Sequence, residues 1–186
     1  MLNSFYDKFI FTNSLQFKHY NFFLVNLPFV IMPTDALVAI AEKNDSKLNM
    51  EIYYAVKDSV ENDIKARFRI DFGIEGDKGL EFMVDFFMAS GWGEISRTDL
   101  DFEKAHALVT ISNSPVAALA KGMKAPADVF IRGFLAGLFA VYFKRSVECI
   151  EAKCAALGDT NCEFIVKPIE EFNFANPMTR GQLRVE

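Results

Sequence analysis

The three cysteines are the residues of this chain most suited to chemistry, and they lie within fourteen positions, at Cys149, Cys154 and Cys162. Four interpretations fit that spacing: a metal site, a redox pair, a disulfide, or a β-hairpin that happens to contain thiols. A disulfide framework is disfavoured, because the count is odd and the chain is expected to stay in a reducing compartment. The sequence alone leaves the other three open.

A metal site would use Cys154 and Cys162, which flank the turn-forming segment "AALGDTN". Such a turn can bring two thiolates to one ion, and sulfur ligands favour zinc. Zinc needs four ligands, and the nearest oxygen ligand is Glu151, three residues before Cys154. Residues three apart in a flat strand point to opposite faces, so these two converge only if a β-bulge intervenes or Cys154 has left the ladder.

The same alternation separates the cysteines. It places Cys149 on one face with Glu151, and it predicts that Cys154 joins Ile150 and Ala152 on the core face. A cysteine in such a position is often a small buried hydrophobe with no ligand role. That interpretation of Cys154 stays open beside the metal site.

The elements that must position these residues follow from hydrophobic periodicity. The sequence predicts short strands in the first 33 residues, a helix over 34–43, a long amphipathic helix, a helix from Asp77 to Gly91, two strands within 94–113, a buried helix after Asp128, a hairpin within 146–168 and a surface tail over 168–186. The long helix is indicated by apolar residues at every fourth position: Leu48, Ile52, Val56, Val60, Ile64, Phe68 and Phe72. Lys57 is assigned to the opposite, charged face of this helix. Helices and strands are segregated along the chain, which predicts an α+β fold in one domain over 1–186.

Composition limits the function classes. The net charge of −5 comes from 20 basic and 25 acidic residues without a basic stripe, which disfavours nucleic-acid binding. The start "MLNSFYDKF" does not resemble a signal peptide, and the longest apolar run, 129–143, is too short to span a bilayer, so we expect a cytoplasmic protein with no membrane span. Neither a GxGxxG nor a GxxxxGK[ST] motif occurs, and the two histidines have no evident catalytic partner, so the sequence does not demonstrate an enzyme.

Three stretches together resemble the 4-vinyl reductase domain family: "NSPVA" (113–117), "DVFIRGFLAG" (128–137) and "CIEAKCAALGDTNCEFIV" (149–166). The resemblance covers roughly residues 94–166. It implies an α+β fold similar to that of transport-particle (TRAPP) subunits, often dimeric, with an apolar pocket. It also implies binding of a small molecule, since the family includes sensor domains that respond to phenols and xylenes.

The resemblance further implies a structural zinc ion beside the pocket. Carried onto this chain, its ligands are Glu151, Cys154, Cys162 and, where the sensors have cysteine at the start of the buried helix, Asp128. A carboxylate can ligate zinc, so the site is expected as Asp-Glu-Cys-Cys. Cys149 is a possible substitute for the missing cysteine.

The functional hypothesis is a cytoplasmic homodimer that binds a hydrophobic or aromatic small molecule. Twenty phenylalanines indicate a thick apolar interior or an apolar cavity. We assign the ligand pocket to Trp92, Phe130, Phe134 and Leu138, with His106 as a polar contact. The alternatives are a reductase that acts on a tetrapyrrole vinyl group with a separate reductant, and a scaffold subunit of a protein complex.

Overall fold

The computed structural model describes residues 15–24, 27–64 and 77–184. The strands within these ranges are β1 (Leu15–Lys18), β2 (Asn21–Leu24), β3 (Leu27–Phe29), β4 (Glu94–Asp101), β5 (His106–Ser112), β6 (Glu148–Lys153) and β7 (Cys162–Lys167). The α-helices are α1 (Thr34–Glu42), α2 (Ser46–Asp63), α3 (Asp77–Ala89), α4 (Pro115–Leu119), α5 (Val129–Phe143) and α6 (Pro177–Gln182). Two 3₁₀ turns cover Ala155–Leu157 and Ile169–Glu171.

The described strands form two antiparallel sheets. One sheet has the order β1-β2-β3, and the other has the order β4-β5-β7-β6. In the second sheet β5 pairs with β7, which lies far from it in sequence, and β6 is left at one edge. The predicted α+β fold is confirmed, and the cysteine hairpin is the β6–β7 pair.

The predicted long helix is present as α2. It begins at Asp45, whose side chain accepts hydrogen bonds from the backbone N–H groups of Lys47 and Leu48 and so satisfies two donors at the start of the helix. The structure describes this helix to Asp63. Phe68 and Phe72, the last members of the predicted apolar stripe, lie outside the described residues.

Helix α5 forms the centre of the core. Ten of its fifteen residues are buried, and it contacts α2 on one side and strands β6 and β7 on another. A helix that is apolar all round must be covered on several faces, and this placement supplies that cover. In the described part of the chain, no helix combines the length and the apolar character that a bilayer span needs.

Helices α2 and α5 approach each other at two glycines one helical turn apart. A Cβ atom at Gly133 would lie 2.7 Å from the carbonyl oxygen of Tyr53, and one at Gly137 would lie 2.5 Å from the carbonyl oxygen of Lys57. Both obstacles are backbone atoms, which cannot rotate away as the tip of a side chain can. This pair of glycines therefore allows direct contact between two helix backbones.

Replacing Gly137 with alanine is expected to lower the free energy of unfolding by about 1–3 kcal/mol, because the added methyl group overpacks this contact. Alanine normally stabilises a helix relative to glycine by roughly 1 kcal/mol, so the effect has the opposite sign to helix propensity. Gly181→Ala is the matched control, since a Cβ at Gly181 in α6 meets nothing within 4 Å. Urea unfolding measures both variants, and equal stability of Gly137→Ala and the wild type would contradict the packing.

The core face of β6 differs from the prediction. Cys149 pairs with Val166 and Glu151 pairs with Phe164, and all four side chains are fully buried. Cys149 and Glu151 therefore lie on a fully buried face that the sequence did not assign to the core, and Ile150, on the opposite face, is buried as predicted. The sequence did not reveal this because both faces of β6 are rich in buried residues, so alternation alone gave no contrast.

Residues 168–184 also differ from the predicted surface tail. They contain the 3₁₀ turn Ile169–Glu171 and helix α6, and they pack back onto the fold. Thr179, Gln182 and Leu183 are buried, and α6 contacts both α2 and β6. Their mixed composition hid this role, because only a few of the side chains point inward.

Candidate metal centre

Two thiols and one carboxylate converge at the junction of β6, β7 and the turn between them. The ligand atoms of Glu151, Cys154 and Cys162 all lie within 4.8 Å of one another, and the three side chains are buried. Zinc–sulfur bonds of about 2.3 Å at the tetrahedral angle put two sulfurs on one ion about 3.8 Å apart. The group therefore has the dimensions of a metal-binding set after only small adjustments.

A bulge in β6 makes this convergence possible. The register with β7 shifts between Glu151 and Lys153, so that one extra residue lies in β6. The strand then ends, and a 3₁₀ turn leads to Gly158, whose φ of 105° suits glycine and reverses the chain. Both conditions named from the sequence are present: a bulge follows Glu151, and Cys154 lies beyond the ladder.

Asp128 lies beside this group, at the residue before α5. Its backbone N–H donates to Glu151 Oε2 (3.0 Å), and its Oδ2 is 3.4 Å from Cys162 Sγ. The hydroxyl of Ser114 lies 3.1 and 3.0 Å from its two carboxylate oxygens. In the described residues, Asp128 is outside the set whose ligand atoms are all within 4.8 Å, because its carboxylate is turned toward Ser114.

Ser114 was not assigned a role from the sequence, although it lies in the stretch "NSPVA". Its hydroxyl oxygen accepts a hydrogen bond from Ala117 N–H and so caps α4, and its proton is available to Asp128. A serine directly before Pro115 at a helix start was the available signal for the cap. The contact to Asp128 had no signal, because the two residues meet only through the tertiary fold.

One oxygen of the cluster is left without a partner. Glu151 Oε1 is buried and makes no conventional hydrogen bond within the described part of the chain, whereas Oε2 accepts from Asp128 N–H. A buried carboxylate oxygen in that condition is costly unless a proton or a cation satisfies it. A buried carboxylate with one unsatisfied oxygen, beside two thiols, is the feature of this structure that fits a metal ion.

The electrostatics of the cluster also favour a cation. Burial raises the pKa of Glu151 well above its usual range, and the charges of Asp128 and Cys154 raise it further. Burial, followed by the charge of Cys154, raises the pKa of Asp128 to about 6. A hydrogen bond with Cys162 lowers the pKa of Cys154 to about 6, and the same bond raises the pKa of Cys162. Four acidic groups thus share one buried space, where a divalent cation would offset their repulsion.

The pKa of Asp128 leads to a prediction for the metal-free protein. Between about pH 4 and pH 6 the folded state keeps a proton that the unfolded state has released, so this group's contribution to stability falls as the pH rises. The stability of Asp128→Asn relative to the wild type is therefore expected to rise by up to about 3 kcal/mol from pH 4 to pH 7. Urea unfolding in EDTA at several pH values measures this difference. Parallel pH profiles of the two proteins would contradict the raised pKa.

Cys149 does not belong to the cluster. Its thiol is buried and lies 3.8 Å from the carbonyl oxygen of Ile150, and its pKa is raised by burial. It is not in the group of ligand atoms found among the described residues. Its proposed use as a substitute for the missing cysteine therefore has no support in the geometry.

Next to Cys149 lies a buried ion pair that the sequence analysis missed. Lys57 Nζ donates to Glu148 Oε1 (2.6 Å), Tyr53 OH donates to Glu148 Oε2 (2.5 Å), and Cys149 N–H donates to the Tyr53 oxygen (2.9 Å). Lys57 is only 6% exposed, so its assignment to the charged outer face of the helix was wrong. It lies inside because its counter-charge comes from β6, 91 residues further along the chain.

The residues assigned to a ligand pocket fall into two places. Trp92 stacks on Phe130 (ring centroids 6.2 Å apart), Phe134 packs on Phe87 of α3 (5.2 Å), and Leu138 is buried nearby against α3. We call these four assigned residues and Phe87 the aromatic layer. It lies where α3 and the turn after it meet α5.

His106 is not part of this layer. Along β5, Ala107 is buried on the core face, so its neighbour His106 points to the opposite face of the sheet. There its Nε2 pairs with Glu171 Oε2 at 2.5 Å, in a partly exposed position. Its prediction as a polar contact of the pocket is not consistent with this placement.

Comparison with known proteins gives the following findings. Residues 108–168 match the model of the 4-vinyl reductase domain. The phenol-responsive sensory domain of the transcription activator PoxR, solved with phenol, is similar in fold, with a TM-score of 0.72 and 16% identity over 98% of this chain and 97% of that chain. No curated protein matches this chain significantly.

Two further solved structures share the fold over a smaller part of the chain. A trafficking protein particle complex subunit 3 from Naegleria fowleri, covalently bound to palmitic acid, has a TM-score of 0.52 and 16% identity over 72% of this chain and 89% of that chain. A vinyl-4-reductase family protein from Methanocaldococcus jannaschii has a TM-score of 0.51 and 19% identity over 76% and 84%. The resemblance inferred from three short stretches is confirmed by these matches, and residues 108–168 include all four predicted metal ligands.

Proposed function

We propose that this chain, whose residues 108–168 match the 4-vinyl reductase domain, binds a hydrophobic or aromatic small molecule and contains a structural zinc ion. Glu151, Cys154 and Cys162 would hold the ion, with Asp128 as the fourth ligand. Zinc would contribute no reaction here; it would cross-link the β6–β7 hairpin to the start of α5. The observation that carries the metal part is the buried carboxylate of Glu151, which lies beside two thiols and has one oxygen without a hydrogen-bond partner.

Asp128 needs one rearrangement to complete the set. Its Oδ2 is already 3.4 Å from Cys162 Sγ, but Ser114 holds the carboxylate from the other side. If Cys162 bound a metal ion as a thiolate, with its proton released to solvent, this oxygen of Asp128 would be free to turn toward the ion. Two sulfur and two carboxylate ligands suit zinc, which tolerates both donor types in tetrahedral geometry.

The small-molecule part rests on the fold and on the aromatic layer. The fold is shared over nearly the full chain with a sensory domain that responds to phenol. The aromatic layer offers stacked and tilted rings of the kind that an aromatic ligand packs against, at a junction of two helices. We therefore assign the ligand site to Trp92, Phe130, Phe134 and Leu138, without His106.

Trp92 provides a direct test, because it is the only tryptophan of the chain. Titration with phenol is expected to change its fluorescence along a saturable curve. Phe134→Ala should weaken binding by about tenfold or more, which corresponds to about 1.4 kcal/mol. Phe102→Ala is the matched control, since Phe102 is exposed and packs at the other end of α5, on Tyr142 and Phe143. If the fluorescence of Trp92 instead changes linearly with phenol concentration, as that of a free tryptophan analogue does, the proposed site for phenol is contradicted.

The two alternatives predict other results. If the protein is a vinyl reductase, a tetrapyrrole with a reduced vinyl group should form when a tetrapyrrole and a partner that supplies the reductant are added. A scaffold subunit predicts a stoichiometric protein complex and no saturable small-molecule binding. The homodimer and the cytoplasmic location stay predictions, which light scattering of the purified protein and cell fractionation test.

A further inference from the structure

Strand β6 lies at the edge of its sheet, and one of its open positions is occupied by a side chain. Gln182 Oε1 accepts a hydrogen bond from Glu151 N–H (2.8 Å), and Gln182 Nε2 donates to Glu151 C=O (3.0 Å). A primary amide carries the same donor and acceptor as a peptide group. Gln182 therefore stands in for the missing neighbouring strand at this one residue, and it is buried there.

A second side chain holds Gln182 in place. Arg132 of α5 donates through Nη2 to the carbonyl oxygen of Gln182 (2.5 Å) and through Nε to the carbonyl oxygen of Cys149 (3.2 Å). Arg132 is buried and also lies over the ring of Tyr53, 4.6 Å from its centroid. A buried guanidinium needs its donors satisfied, so Arg132 ties the end of α6 to β6 as long as α6 is docked.

These contacts act on a metal ligand rather than on an arbitrary residue. Glu151 is the last residue before the bulge of β6, where pairing with β7 is locally disrupted. Gln182 holds its N–H and C=O, and Asp128 N–H holds its Oε2. With these three points fixed, the carboxylate of Glu151 is held beside the two thiols, with one of its oxygens within 4.8 Å of both sulfurs.

We infer that α6 is a clamp on the metal centre: Gln182 is a positioning residue for Glu151, and docking of α6 and binding of a divalent cation stabilise each other. This inference rests on the proposed zinc site. Linkage makes the effect reciprocal, so that the factor by which docked α6 raises metal affinity equals the factor by which the metal favours docked α6. Residues that orient metal ligands typically change affinity by about 10–100-fold when they are lost.

The test compares zinc affinity in the full chain, measured by competition with a chromophoric chelator. Gln182→Met keeps the length and packing of the side chain and removes both hydrogen bonds. It is expected to weaken zinc binding at least about tenfold while one zinc per chain is still bound at saturation. Arg180→Ala is the matched control, because Arg180 is an exposed residue of the same helix, and it should bind zinc as the wild type does.

A second measurement needs no variant. Glu151 N–H exchanges with solvent only when α6 releases it, so zinc is expected to slow its hydrogen exchange in the wild type at least about tenfold. This exchange measurement tests the clamp even if Gln182→Met does not fold without metal. Unchanged exchange, or unchanged zinc affinity in a folded Gln182→Met, would overturn the clamp and leave the zinc site standing. A wild type that binds no zinc would overturn both.

Discussion

Replacing Cys162 with serine is expected to abolish stoichiometric zinc binding and to remove the stability that zinc confers. A ligand that binds only the folded state adds about 4 kcal/mol when its concentration is about a thousand times its Kd. Cys162 belongs to the group of ligand atoms within 4.8 Å and begins β7, so its loss separates the ion from that strand. Metal analysis gives the zinc content, and urea unfolding with and without EDTA gives the free energy.

The matched control is Cys149→Ala, in the partner strand of the same hairpin. Cys149 is equally buried but lies outside the cluster, so this variant should lose about 1 kcal/mol from the missing sulfur and still bind one zinc. The comparison separates a ligand from a buried hydrophobe, which the sequence could not do. The zinc proposal fails if EDTA leaves the wild type unchanged, or if Cys162→Ser binds zinc as tightly as the wild type.

Replacing Glu148 with leucine is expected to lower the free energy of unfolding by about 3–5 kcal/mol, because it leaves Lys57 buried without a counter-charge. Tyr53 loses its acceptor in the same change. Leucine has a similar volume to glutamate, so the loss is not mainly a cavity effect. Urea unfolding at pH 7 measures it.

The double variant Lys57→Met/Glu148→Leu separates charge burial from packing. Two well-packed apolar side chains can replace a buried ion pair with little net loss, so the second substitution should restore much of the stability. The exposed pair Lys153–Glu163, with an N–O distance of 2.7 Å, is the matched control, and Glu163→Leu should cost far less. Equal losses for the buried and the exposed pair would contradict the burial of Lys57.

The local parts of the structure were predictable from the sequence. The apolar segment 129–143 and the turn around Gly158 carry their signals within a few residues, and the helix and the hairpin lie where those signals place them. The metal cluster was also predictable. Glu151, Cys154 and Cys162 are close in sequence, and strand geometry specifies how the backbone must depart from a regular strand for them to converge. Strand geometry required either a bulge or the exit of Cys154 from the ladder, and the structure has both.

The parts that were not predictable depend on distant contacts between polar side chains. Lys57 shares the charged composition of its neighbours on α2, and only Glu148 explains why it faces inward. Gln182 lies in a short, largely polar helix, and its role exists only because β6 ends the sheet beside it. Sequence periodicity assigns polar residues to the surface, so it gives the wrong face wherever a buried partner is supplied by another element.

The amide of Gln182 also bears on solubility. An edge strand with open N–H and C=O groups is a template for pairing with another chain, and proteins block such edges in different ways. The far edge, β4, carries Arg97 and Asp99 and is interrupted by a bulge between Ile95 and Arg97. At β6 the open backbone groups are taken by side chains: Gln182 of α6 pairs with Glu151, and Tyr53 and Arg132 pair with Cys149. Undocking of α6 would therefore leave the N–H and C=O groups of Glu151 open at this edge. Pairing of β6 with another chain would then compete with the native fold.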